Sequence, residues 1–354
     1  MNDGWFCAAP TDDNLRIVNE LKSLLPMRVP WWYSRWLWVV LKTKTPPLEM
    51  ETEPFDDEVG SGGFTVDWVK TVPDKSIPIV MVFPGLGGSS DSTYCRSVAA
   101  AATEERWRVV IMNYRGNSKP LQSERVWSAE DTRDLHKLVT SVHKEYPEAP
   151  LFAIGFSCGG NLLVKLMGEM AERKYTFKID AAVSCCNAFE YEENMRNIEA
   201  SFVGRHVISR VCAGYYHRYL RRSEQQLRSI EGFDFDKAIQ SHTVMALDKH
   251  MVGLYGFDDV DAYYNSCQSY EDLAKLESPL LVLQSADDPM FMNRPREIVP
   301  LTKICESQYA IYMEVPRGSH ISFIEATAFR RKKGSFVDRT MTTFFKSCKN
   351  FYDE

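Results

Sequence analysis

No stretch of this 354-residue chain is apolar for the ~20 consecutive residues that a helix needs to cross a bilayer. The nearest candidate, residues 24–41, is interrupted by Pro26, Arg28, Pro30 and Arg35. The chain does not open on a basic-then-apolar signal pattern, and its last residues, Tyr352-Asp353-Glu354, carry no recognised address. Nine cysteines is an odd count and none forms a CxxC pair, which argues against a zinc ribbon or a dithiol redox motif. Free thiols in a reducing compartment, and hence a cytoplasmic location, are expected. Clustered Lys and Arg are also missing, and a formal net charge of −6 argues against a nucleic-acid partner, whose phosphates demand such clusters. The short basic runs Arg221-Arg222 and Arg330-Arg331-Lys332-Lys333 read as solvated faces. No internal repeat or low-complexity tract is visible.

What is present is a globular composition: 44% hydrophobic and 25% charged residues can bury a large core. Aromatics crowd into residues 24–41, with Trp31, Trp32, Tyr33, Trp36 and Trp38. Two readings stay open there. The arm packs its aromatics on the core, or it makes peripheral membrane contact through the Trp31–Trp38 region, seated among lipid headgroups.

The pattern along the chain predicts alternating strands and helices. Residues 1–60 read as an N-terminal arm and, from 42, a Pro- and acid-rich linker ending in Gly60-Ser61-Gly62-Gly63. Strands are expected at 64–69, 77–83, 108–112, 151–156, 181–186, 280–283 and 310–315. Helices are expected at 91–104, 128–145, 159–172, 295–305 and 336–348. Such alternation predicts an α/β fold with a mainly parallel central sheet flanked by helices. From about 189 to 272 short apolar strands disappear and Tyr-rich helical spacing takes over, which predicts a helical cap insertion. The core is thereby divided into 61–188 and 273–354.

Gly155-Phe156-Ser157-Cys158-Gly159-Gly160 follows an apolar strand and opens a helical stretch, the context of a nucleophile elbow. A serine there sits on a strained turn with positive φ, and side chains two positions away would collide. A G-x-S-x-G match alone arises by chance in about one chain in ten of this length at ~7% Gly and Ser, so the strand before and the helix after carry the weight. Pro84-Gly85-Leu86-Gly87-Gly88-Ser89 follows the strand 77–83, where such sheets place one oxyanion donor. The amides of Leu86 and Cys158 are therefore the expected pair. The loop lacks the Gly-Lys-Ser/Thr of a phosphate-binding P-loop. Acid and base must follow in chain order: Asp287-Asp288-Pro289 comes just after strand 280–283, and His320 just after 310–315. The other six histidines lie in helical or inserted segments. At this level Asp287 and Asp288 both remain candidates.

Together these motifs resemble the YheT-like branch of the α/β-hydrolases, which includes medium-chain ester synthase/esterases and membrane-associated phospholipid hydrolases. The resemblance runs from Gly62-Gly63-Phe64 and Asp67-Trp68 through the 84–89 loop, Asn113-Tyr114-Arg115-Gly116, Ala129-Glu130-Asp131 with Asp134-Leu135, the elbow, and Tyr263-Tyr264 with Ser266. It ends at His320-Ile321-Ser322-Phe323. It implies a serine hydrolase that cleaves fatty-acyl esters through an acyl-enzyme without metal or organic cofactor. Ser157 is the implied nucleophile, His320 the base and Asp288, the aspartate before proline, the orienting acid. Cys158 stands where methionine is common and Ser319 where glycine is common, and the apolar part of 24–41 is shorter than the family's membrane anchors. The implied partner is a small acyl ester or lipid. Two alternatives accompany this expectation: an acyltransferase passing the acyl group to an alcohol or lysophospholipid, and a non-catalytic lipid-binding or scaffold protein that kept the fold.

Overall fold

The computed structural model describes residues 4–36, 45, 47–56, 63–70, 74–292, 295–326 and 334–349. Nine strands form one sheet: β1 (Trp5–Ala8), β2 (Met50–Phe55), β3 (Phe64–Val69), β4 (Ile79–Phe83), β5 (Arg108–Asn113), β6 (Leu151–Phe156), β7 (Ala181–Cys185), β8 (Leu280–Ser285) and β9 (Ala310–Val315). Their order is β1-β9-β8-β7-β6-β4-β5-β3-β2. From β5 to β9 the neighbours are parallel, while β1, β2 and β3 pair antiparallel at the two edges.

The central strands β4, β6 and β7 are buried at every position and almost wholly apolar because both faces of the sheet are covered. In β4, Ile79, Met81 and Phe83 point to one face and Val80 and Val82 to the other. The first face receives α3 (Arg133–Glu145) through Leu135, Leu138, Val139 and Val142, and also α4 (Cys158–Glu172). The second receives α1 (Asp12–Lys22), α2 (Thr93–Glu104) and the terminal helix Phe336–Lys349. This two-period alternation of strand residues between two helical layers is what the apolar runs encode.

Between β7 and β8 the described residues form helices and no strand: α5 (Tyr191–Ala200), a π turn at Gly204–Ile208, α6 (Ser209–Arg222), α7 (Glu224–Arg228), α8 (Phe235–Gln240), α9 (Val244–Tyr255) and α10 (Val260–Cys267). Among the described residues no helix is long and apolar enough to cross a membrane.

Three expectations need correction. Residues 42–60 are not simply a linker, because Met50–Phe55 form the edge strand β2 against β3. Four consecutive residues, Glu51 to Pro54, are exposed, so no apolar alternation marks this edge strand, and Pro is tolerated where no ladder donor is needed. Residues 57–62, with part of the glycine-rich stretch, lie outside the described residues, as do 37–44 with Trp38 and 327–333 with the second basic run. Second, the cysteines are not all free: Cys7 and Cys305, 298 residues apart, are disulfide-bonded where β1 lies beside the helix Leu301–Glu306. Third, the described tryptophans of the arm, Trp31, Trp32 and Trp36, are exposed rather than packed on the core. The arm packs through Leu24, Leu25, Met27 and Val29, and Trp31 stays 85% exposed.

Candidate active site

Ser157 joins β6 to α4 with φ 53° and ψ −120°, a left-handed conformation that a serine adopts only when its surroundings enforce it. Its amide donates to the Cys185 carbonyl at 2.8 Å, and its carbonyl accepts from Asn161 as the helix begins. Gly155 and Gly159 face one another across this turn. A Cβ on Gly155 would strike the Gly159 backbone, and one on Gly159 would strike the carbonyls of Phe83 and Pro84. Two missing side chains therefore let β6, α4 and the loop after β4 close together.

That loop, residues 84–90, is pinned by a buried polar network. Asn113 donates from Nδ2 to Asp67 at 2.7 Å and accepts the Ser90 amide at Oδ1 at 2.9 Å, and the hydroxyls of Ser90 and Thr52 also donate to Asp67. Within the loop the Gly85 amide donates to the Tyr94 hydroxyl at 3.1 Å and the Gly88 amide to the Gly85 carbonyl. The amides of Leu86 and Cys158 both reach the Cys158 thiol. Burial pushes that thiol up to about 11, against the lowering effect of its hydrogen bonds, so it stays protonated at neutral pH. Leu86 and Cys158 both line the cavity that Ser157 faces.

The two aspartates after β8 do different things. Asp288 is fully buried; its Oδ2 accepts from His320 Nδ1 at 2.8 Å, and its Oδ1 accepts the Met290 amide at 2.8 Å. Among the described residues Asp287 makes no hydrogen bond to the imidazole. Its Oδ1 accepts the amides of Gly318 and Ser319, each at 3.0 Å, and the Ser285 hydroxyl at 2.6 Å, while its Oδ2 accepts the Tyr33 hydroxyl at 2.6 Å. His320 lies on a contorted loop, with positive φ at Ser319, Ile321 and Phe323, and Asp287 is the clamp that holds the loop's entry. Burial works against a charged imidazole here, but the Asp288 carboxylate outweighs it and raises His320 above its ordinary value. Because a carboxylate only accepts, the neutral ring carries its proton on Nδ1 and leaves Nε2 as the basic atom.

Ser157 and His320 line one cavity of about 280 Å³ together with Leu86, Cys158 and apolar residues of α5 and α6. Among the described residues no hydrogen bond joins the Ser157 hydroxyl to His320.

A protein family described as serine aminopeptidase, S33, matches residues 74–325, a span that starts just before β4 and ends after His320. The chain belongs to this α/β-hydrolase family. It sits in the YheT-like branch, being similar to the putative esterase YheT of Escherichia coli, 28% identical over 281 residues that cover 77% of this chain and 79% of that one. It is also similar to the embryogenesis-associated protein EMB8 of Picea glauca, 25% identical over 299 residues and 81% of this chain. A monoacylglycerol lipase of Saccharomyces cerevisiae is 24% identical over 305 residues and 82% of this chain. The chain spans 62% and 66% of the length of those last two relatives. The esterase Est1E of Butyrivibrio proteoclasticus, solved with ferulic acid, superposes with a TM-score of 0.51 at 12% identity, covering 84% of this chain and 98% of that one, a likeness of fold.

Within this α/β-hydrolase, Cys186, Asp288 and His320 are the one group of three metal-capable side chains among the described residues, their donor atoms lying within 4.8 Å of one another. Two of the three donors, His320 Nδ1 and Asp288 Oδ2, are already hydrogen-bonded to one another, and the Cys186 thiol lies beside the imidazole. Sequence reasoning missed Tyr33 and the Asp67–Asn113–Ser90 network. Asp67 and Asn113 stood among the recognised motifs without a role. No local pattern marks Tyr33, whose partner is 254 residues away.

Proposed function

We propose that this hydrolase cleaves fatty-acyl carboxylic esters through an acyl-enzyme on Ser157. The observation that carries the reading is the buried Asp288–His320 pair, which opens onto the same cavity as a serine held at positive φ. His320 Nε2 takes the hydroxyl proton as Ser157 Oγ attacks the acyl carbonyl. The amides of Leu86 and Cys158 stabilise the resulting oxyanion, and the imidazolium returns the proton to the leaving alkoxide, which departs as the alcohol. Water, deprotonated by the same nitrogen, then releases the acid. Asp288 orients the ring and offsets its transient charge.

Residues 189–272 act as the cap. From that span Ile198, Ile208, Val211, Tyr215 and Tyr216 give the cavity an apolar wall suited to an acyl chain. Its volume of about 280 Å³ falls just below the ~300–1,000 Å³ typical of ligand pockets, which favours one chain over two. The names of two relatives, a monoacylglycerol lipase and, at 22% identity, the human phospholipase ABHD3, support a lipid ester. Ser157→Ala should abolish both turnover of a medium-chain p-nitrophenyl ester and labelling by a fluorophosphonate probe. Full hydrolysis by that variant would end the proposal.

A further inference from the structure

The outer face of the segment that walls the cavity carries an unusual combination of side chains. Val203, Val207, Val211 and Tyr215 recur at every fourth position through the π turn and α6, so they share one face, and Phe202 adjoins them. All five are exposed, Phe202 at 78% and Val211 at 59%. Arg205, His206, Arg210, Arg218, Arg221 and Arg222 are exposed along the same segment. No Asp or Glu occurs from residue 200 to 223, in a chain whose net charge is −6. Arg205 pairs with Glu199 at 3.6 Å, whereas Arg210, Arg218 and Arg221 form no ion pair among the described residues.

This face is continuous with the mouth of the cavity. Val211 and Tyr215 belong both to the exposed stripe and to the cavity lining, and the Tyr215 ring rests on Gly87 of the loop that holds Leu86. The exposed Trp31, Trp32 and Trp36 belong to the arm that touches the histidine loop, where the Ser319 hydroxyl donates to the Arg35 carbonyl at 2.7 Å.

We propose that the exposed face of residues 202–222 docks on an anionic phospholipid surface. The valines and Phe202 enter the boundary between headgroups and acyl chains, the arginines meet phosphates, and the cavity mouth opens toward the lipid. This deepens the lipid-ester reading above and rests on it for its purpose. Apolar side chains interleaved with one sign of charge match such a boundary, which offers hydrocarbon depth and negative charge together. A second copy of the chain fits less well, because a two-fold pairing of this face would set arginines against arginines.

The test is vesicle flotation of the full chain carrying Ser157→Ala, so that lipid is not consumed, using phosphatidylcholine vesicles with and without phosphatidylserine. Binding should be about tenfold or more stronger with phosphatidylserine and should weaken as salt shortens the reach of the arginine charges, the Debye length being ~10 Å at 0.1 M. F202S/V207S and R210E/R221E should each lower vesicle binding about tenfold or more. Made in the Ser157 protein, both should keep wild-type kcat/KM on soluble p-nitrophenyl butyrate and an unchanged melting temperature. Vesicle binding unaffected by either double variant would overturn the proposal. So would no binding to either vesicle, or a solution dimer that F202S/V207S dissociates. Absence of p-nitrophenyl butyrate turnover by the Ser157 protein would instead defeat the ester reading, leaving the flotation result to decide docking.

Discussion

Asp287 and Asp288 are adjacent carboxylates with separable jobs, and substituting each should break a different property. Asp287→Ala removes four accepted hydrogen bonds: two from the histidine-loop amides, one from Ser285 and one from Tyr33. At roughly 0.5–1.5 kcal/mol apiece, with water replacing part of the loss at a half-buried site, the expected destabilisation is about 3 kcal/mol. Asp288→Asn keeps the bond from the Met290 amide through its oxygen but turns an amide donor toward His320 Nδ1. The imidazole then carries its proton on Nε2 and no longer accepts one from Ser157. A wrong tautomer costs about ten-thousandfold in kcat, or about 5.5 kcal/mol of transition-state stabilisation at 1.36 kcal/mol per factor of ten. Urea unfolding and steady-state kinetics on a soluble ester, both at pH 7.5 or about that value, read the two effects independently. The reasoning fails if Asp288→Asn keeps kcat within about tenfold of wild type. It fails equally if Asp287→Ala abolishes turnover with no loss of stability.

Two further outcomes follow from geometry already described. Gly159→Ala should destabilise by about 3 kcal/mol or leave the protein insoluble, because the new methyl meets the fixed carbonyls of Phe83 and Pro84 rather than a flexible side chain; wild-type urea stability would contradict that packing. Since the base must be neutral to accept a proton and Asp288 raises His320, kcat/KM should climb with pH through a midpoint above the ordinary histidine value of about 6.5. The same raised value makes the His320–Asp288 pair stabilising below the unfolded-state value and progressively less so as pH rises through the folded one. A kinetic midpoint at or below about 6.5 would refute the assignment.

The parallel centre of the sheet was legible because its strands are buried on both faces and read as short, mainly apolar runs; β6 falls on 151–156 and β9 on 310–315, the expected spans. Ser157 and His320 stood out for a related reason, since each follows directly on such a strand and chain order restricts the choice. What escaped lies at the edges and in long-range pairing. β1 has four residues, too few to show alternation, and β2 is masked by its glutamates. The Cys7–Cys305 bond joins residues with no spacing signature. The sequence pattern left Asp287 and Asp288 equivalent, and only the resemblance chose between them. Their division of labour depends on which carboxylate points at an imidazole 32 residues on, a matter of loop conformation that no periodicity records.

The antiparallel seat of β1 against β9 has a consequence for anyone who shortens this chain. A version starting at β2 would strip β9 of its neighbour, leaving a bare ladder of donors and acceptors ready to capture another molecule. It would also delete the phenol of Tyr33 that steadies Asp287, so the first three dozen residues, far from the nucleophile in sequence, count as part of its scaffolding.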